Sequence, residues 1–399
     1  MLNTVQLERY ASVLLWGLTT ARTQRFKKND IILIRCDLPA TPLGEVVFKK
    51  LMEMGMNPVL RLGATPTVEK TFFALANDKQ LTFKLPGDEE LYNSLNGAVY
   101  LNAPASLTHL SSIDPKRIGK AAIARKYLRD ILDKREEQGA FGWTLCMYPT
   151  EELAKHAGMD IKDYSTQIVK ACLLNKADPV AEWKAIYRTV GEIKKWLNGL
   201  KAKSFHIESA SVDLQITPGE KRKWIGISGH NIPSFEIFLS PDWRGTQGRY
   251  YADQPSYRSG NLVEGVRLEF KNGTAVKVDA ATGAEFTRKQ LAMDKGAGKV
   301  GEFSLTDKRF SKIDRFMANT LFDENFGGKY GNCHIAVGAS YSDTYSGDPA
   351  TLTREKKEKL GFNDSALHWD LVNTENKRVT ATLTGGKRIV IYENGEFKM

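Results

Sequence analysis

The sequence predicts an α/β amino-terminal domain with a parallel sheet, residues 1–202, followed by a β-rich (α+β) carboxy-terminal domain, residues 203–399. Three observations carry this division. At 399 residues the chain is too long for one core, since domains usually run to roughly 100–200 residues. Up to about residue 200, helical and strand-like segments alternate, as βαβ units do. Beyond residue 204 the chain turns to short β-rich runs broken by Gly, Pro and Asn, the signature of antiparallel sheets.

In chain order, residues 5–21 have helical apolar spacing, Asn29-Asp30 break the chain, and residues 31–36, Ile-Ile-Leu-Ile-Arg-Cys, read as a short buried strand. Residues 42–54 resemble a helix closed by Gly55, and 58–62 the next strand. A strand, helix, strand run of this length implies parallel pairing. Residues 97–101 and 143–150 read as further strands, and the Lys/Arg/Glu-rich stretch 115–137 between them as a helix. A long amphipathic segment, 178–202, carries Trp183 and Trp196. After it, residues 205–214, 264–271, 273–278, 378–383 and 388–392 read as strands. Asn272-Gly273 and Asn394-Gly395 are hairpin turns, because tight hairpins need two residues that tolerate positive φ.

Composition excludes several classes. A hydrophobic fraction of 42% and seven Trp rule out a disordered linker. Cys36, Cys146, Cys172 and Cys333 form no CxxC pair, so neither a disulfide scaffold nor a cysteine zinc site is encoded and a reducing, cytoplasmic setting is expected. The apolar run 11–18 follows Glu8 and Arg9. It falls short of the roughly 20 residues of a membrane helix and lacks the marks of a signal peptide, so neither export nor a membrane span is expected. The net charge of +10 is dispersed, with dense groups only at 25–28 and 221–223. No recognition signature accompanies it, and a nucleic-acid partner is not expected. After the first strand, Asp37-Leu38-Pro39-Ala40-Thr41-Pro42 lacks the glycines of a nucleotide loop, so the first domain is read as cofactor-free.

The chemistry-bearing residues lie in the second half, in Gly-flanked apolar settings. Glu236 opens an apolar strand after Gly229-His230-Asn231-Ile232-Pro233, and Glu302 does so after Gly301. Glu324 lies in Leu321-Phe322-Asp323-Glu324-Asn325, His334 in Cys333-His334-Ile335-Ala336-Val337-Gly338, and His368 and Asp370 in His368-Trp369-Asp370. On a strand, residues two apart share a face, so His368 and Asp370 are placed to grip one metal. Taken singly, each has a plain reading as a surface strand residue or a satisfied core histidine. Several carboxylates and two histidines in apolar β surroundings shift that balance, because unpaired buried charge is expensive and shared divalent cations relieve it. With no GxSxG elbow, Ser304 and Ser340 read as turn or strand hydroxyls. His109, His156 and His206 read as surface or packing residues, and Cys333 as a buried structural thiol.

In this order the motifs resemble the metal-dependent aminopeptidases of the thermophilic aminopeptidase T and staphylococcal aminopeptidase S type: Asn231-Ile232-Pro233 with Glu236, Gly301-Glu302, the 321–325 run, His334 to Gly338 with Tyr341, and His368-Trp369-Asp370. The likeness extends to Gly265-Val266-Arg267-Leu268-Glu269-Phe270 and, more faintly, to Ala157-Gly158-Met159, Tyr164 and Ala177-Asp178-Pro179-Val180 with Trp183. It implies that Glu236, Glu302, Glu324, His334, His368 and Asp370 form a two-metal site for zinc, cobalt or manganese, with Tyr341 beside it. It also implies a homodimer, an amino-terminal domain that helps enclose the site, and peptide substrates with a free amino terminus. In the mechanism so implied, Glu302, alone or with Glu236, bridges the cations, which activate a water between them. Tyr341 stabilises the oxyanion, and Glu302 or Glu324 passes a proton to the leaving amine.

The chain departs from the family pattern in three places. Phe235 stands where glycine often precedes the first metal glutamate, His230 where arginine is common, and Gly327-Gly328-Lys329-Tyr330-Gly331 lengthens the gap between Glu324 and His334. Tyr341, seven residues after His334, would face away on a regular strand, and Gly338 is placed to supply a bend. Two alternatives stay open: another two-metal hydrolase, acting on amides or phosphoesters, and a non-catalytic binding protein with structural cations.

Overall fold

The structure is a computed structural model that describes residues 1–258 and 261–399. The chain divides into two compact units, Met1–Trp183 with Ser228–Ile232, and Lys184–Ile227 with Pro233–Met399.

The first unit is built on a five-stranded parallel sheet in the order Asn57–Leu62, Ile31–Cys36, Gly97–Asn102, Gly142–Met147 and Asn231–Ile232. The helix Thr4–Ala21 starts at a capping box in which Asn3 and Gln6 exchange side-chain to backbone hydrogen bonds of 2.9 Å. The helix Thr41–Glu53 crosses over between the first two strands. Leu33 and Ala98 on the strands meet Leu95, Leu132 and Phe141 in one buried cluster. The strand expected over 143–150 ends at Met147, because Thr150 caps the next helix and its Oγ1 accepts the Leu153 N–H.

In the second unit an eight-stranded antiparallel sheet runs in the order Thr274–Asp279, Val266–Lys271, Asp242–Ala252, Asp213–Thr217, Ala202–Glu208, Arg378–Leu383, Arg388–Glu393 and Glu396–Phe397. Both Asn-Gly pairs have positive φ at both residues, as their hairpins require. The run expected as one strand over 205–214 is two strands, since Ser209 accepts the Val212 N–H on its Oγ and turns the chain back. Residues Asp242–Ala252 form an eleven-residue strand that the sequence reading does not anticipate; Gly245, Gly248 and its polar residues mask the alternation.

Beside it stands a smaller antiparallel sheet in the order His368–Asn373, Asn332–Gly338, Val300–Thr306 and Glu236–Leu239. The two central strands are buried at every position, the polar Glu302, Ser304, Thr306, Asn332 and His334 included. All four cysteines are free and buried. Among the described residues no helix is long and apolar enough to cross a membrane.

Candidate metal centre

The small sheet positions the site through its register. Glu302 lies opposite Ala336, and Ala336 opposite Asp370. Ser304 lies opposite both His334 and Phe238, Thr306 opposite Glu236, and Gly338 opposite His368. Directly opposed residues of antiparallel strands share a face, and so do residues two apart along a strand. Glu236, Glu302, His334, His368 and Asp370 therefore project from one face of four strands, although the chain separates the first from the last by more than a hundred residues.

Ligand atoms of Glu236, Glu302 and His334 all lie within 4.8 Å of one another. His334 Nε2 is 3.2 Å from Glu302 Oε1, 3.3 Å from Glu236 Oε2 and 4.0 Å from Asp370 Oδ1. His368 Nε2 is 3.4 Å from Asp370 Oδ1 and 3.8 Å from Glu302 Oε2. Its Nδ1 lies 2.9 Å from the Ala339 carbonyl, which fixes the tautomer with Nε2 turned to the acids.

Glu324 reaches the same cluster from outside the sheet, at the carboxyl end of the short helix Thr320–Asp323. Its backbone is held where Asn332 Nδ2 donates to the Glu324 carbonyl at 3.0 Å, and Asp323 ties the preceding turn by accepting the Met317 and Asn319 N–H groups. Phe235, where glycine is usual in the family pattern, is fully buried and donates its N–H to Asn325, the neighbour of Glu324.

Gly338 supplies the bend that Tyr341 needs. At φ +108° it ends its strand, and a Cβ there would lie 2.1 Å from the Leu367 carbonyl. Tyr341 then turns back, its N–H held by Ser240 Oγ at 2.8 Å and its ring 4.7 Å from the His368 ring. The residue as a whole is 41% exposed. Desolvation, with Glu302 and Asp370 nearby, holds the phenol well above its ordinary pKa.

Electrostatics test whether these residues suit a divalent cation. Glu302 is 3% exposed, and burial, with Glu236 adding repulsion, pushes its carboxyl up to about 7. Burial, then Glu236 and Asp370, raise Glu324 well above the carboxylate range. For the imidazoles burial opposes charge but loses: Glu236 and Glu302 hold His334 well above its ordinary value, and Asp370 holds His368 at about 9. Among the described residues, the ion-pair partners of these acids within 4.0 Å are the two imidazoles alone. Four acids face two rings and the nearby Arg258 guanidinium, so acids remain in excess even with both rings protonated. Buried carboxylates and imidazoles in such excess are a donor set that suits a divalent cation, and a dication reverses these tendencies by favouring ionised acid and neutral ring. The residues fit the group.

All seven residues singled out in the sequence are thus brought together, five on the sheet face and Glu324 and Tyr341 at its margin. Ser304, which the sequence presents as a strand hydroxyl, is fully buried and its Oγ lies 3.3 Å from Glu236 Oε2. Its position two residues after Glu302 on a strand is the signal that reveals it. Cys333 is a buried thiol pushed up to about 11 by burial. His109, His156 and His206 pair with Glu69, Glu152 and Asp213 away from the cluster.

The chain is 27% identical over 400 residues to aminopeptidase AmpS of Bacillus subtilis, covering 93% of this chain and 94% of that protein. It is 29% identical over 308 residues to aminopeptidase T of Thermus aquaticus, covering 72% and 73%. The solved structure of wild-type AmpT from Thermus thermophilus superposes with a TM-score of 0.80 over 99% of both chains at 22% identity, a likeness of fold. The profile of one family, described as thermophilic metalloprotease (M29), matches residues 3–397, and by that match over nearly its whole length the chain belongs to this metalloprotease family.

Proposed function

We propose that the protein is a metal-dependent aminopeptidase, with the chemistry carried by the β-rich half from about residue 203 onward. The observation that carries the reading is the buried, undercompensated cluster of acids and imidazoles on one sheet face. Relatives named as aminopeptidases support the choice among metalloproteases. Glu236, Glu302, His334, His368 and Asp370, with Glu324 at the margin, would hold two divalent cations, zinc, cobalt or manganese. When bound, these supply Lewis acidity toward the scissile carbonyl and lower the pKa of the attacking water.

The protein groups perform the remaining work. The Tyr341 phenol is protonated at neutral pH, as a phenol ordinarily is, so its hydroxyl can donate to the developing oxyanion. Glu302 or Glu324 takes a proton from the attacking water and passes it to the leaving amine. A carboxylate of the site would hold the free α-amino group of a peptide, which selects its first residue for release. The reading includes a homodimer working in the cytoplasm; four buried free thiols suit a reducing compartment.

The test is hydrolysis of leucine and arginine p-nitroanilides by the purified protein, beside amino-acetylated counterparts, before and after chelation and metal restoration. Release only from free-amine substrates, lost on chelation and regained with metal, is expected. Equal cleavage of the blocked substrates would favour another two-metal hydrolase. No release under any metal would contradict the proposal.

A further inference from the structure

Arg258 is a residue that none of the motifs contains and that the chemistry above does not use. It closes the short strand Ser256–Arg258, which pairs with Asn261–Val263. Its Nη1 donates to the carbonyl oxygen of His368 at 3.0 Å, its Nε approaches Gln290 Oε1 at 3.4 Å, and its guanidinium carbon stands 5.5 Å from the Trp369 ring centroid. Trp369 answers with a hydrogen bond from Nε1 to Ser256 Oγ at 3.0 Å. The His368-Trp369-Asp370 motif and the Ser256–Arg258 strand are thereby tied at two points.

The register explains why His368 needs such a partner. Its strand is an edge of the small sheet, and its one neighbour there is Asn332–Gly338. Ala339 N–H donates to the Leu367 carbonyl, so His368 and Gly338 form a non-hydrogen-bonded pair and the His368 carbonyl points outward from the edge. An outward carbonyl at a half-buried position requires a donor, and Arg258 provides it.

We propose that Arg258 is a positioning residue for the metal centre: by clamping the His368 carbonyl, it sets the main chain from which the His368 and Asp370 side chains reach the cations. This rests on the metal-centre reading above. The clamp works together with the Ala339 carbonyl, which fixes the His368 ring at Nδ1. One tether sets the backbone and the other sets the ring, which leaves Nε2 little freedom. Partners of this kind typically change metal affinity roughly 10–100-fold when removed. Charge alone predicts the opposite sign, since deleting a cation beside a dication site should tighten binding.

The experiment titrates metal-free protein with Co2+, read by calorimetry and by visible d–d absorbance, for wild type, Arg258→Met and Arg258→Lys, with far-UV circular dichroism as the check on folding. Arg258→Met is expected to bind at least one Co2+ equivalent roughly 10–100-fold more weakly, with an altered spectrum. Arg258→Lys, which keeps the charge but cannot reach both His368 and Gln290, is expected to fall between. Wild type that binds no Co2+ would overturn the metal-centre reading itself. Wild type that binds, beside a folded Arg258→Met that binds equally or more tightly, would overturn the positioning role alone. Should Arg258→Met fail to fold, Arg258→Lys decides, and undiminished Co2+ binding by it would overturn the proposal.

Discussion

Glu302 and Glu324 show what the centre costs the metal-free protein. Each is buried among other acids, and burial together with mutual repulsion raises both carboxyls. A neutral isostere removes a buried acid whose ionisation burial and its acidic neighbours oppose. Glu302→Gln and Glu324→Gln should therefore raise the melting temperature of metal-free protein while lowering metal-dependent peptidase activity by orders of magnitude. Lowered stability together with wild-type activity in both would contradict the assignment. Thermal unfolding with and without chelator, beside turnover, makes the check. At this scale the acids and imidazoles of the sheet are legible because each stands beside glycine or apolar neighbours, as in Gly301-Glu302-Phe303 and Cys333-His334-Ile335, whereas Glu324 lies between Asp323 and Asn325. Arg258 and Ser304 were not legible as partners. Arg258 reaches His368 across 110 positions, and Ser304 looks like any strand hydroxyl until the register sets it opposite His334.

Strands carry the centre, and their ends aim it. Gly338 closes the Asn332–Gly338 strand at a φ that side chains rarely adopt, against the Leu367 carbonyl. Gly338→Ala should cost on the order of 2–4 kcal/mol in denaturant unfolding. It should also lower kcat through a displaced Tyr341, and a change within about 0.5 kcal/mol would contradict the role given to the bend. Periodicity located most strands because a buried central strand is a continuous apolar run and a tight hairpin is announced by Asn-Gly. It failed where local chemistry competed with pattern. Ser209 divides the run 205–214 into two strands, Thr150 ends the strand at Met147 by capping the next helix, and two glycines hide the alternation in Asp242–Ala252. These are contests between side-chain hydrogen bonding or glycine and hydrophobic period, and a period count sees only one contestant.

Across the whole molecule, the parallel sheet and the antiparallel sheets follow from the change in rhythm near residue 200, but strand order does not. Ala202–Glu208 pairs with Arg378–Leu383, and His334 lies opposite Val372 in the register that assembles the centre. Pairings across such separations leave no local trace, because each strand carries only its own face pattern. The two-residue strand Asn231–Ile232, which joins the parallel sheet beside Gly142–Met147, is too short to have a period at all. The dispersed net charge of +10 enters none of these arguments. The central claim is that distant segments converge on one sheet face to hold catalytic metal. Its most direct test is an anomalous difference map from a crystal of the protein grown with Co2+ or Mn2+. The account predicts two peaks against that face, contacted by Glu236, Glu302, His334, His368 and Asp370, with Glu324 at the margin. A map with no peak there from a crystal that holds the metal elsewhere would contradict it.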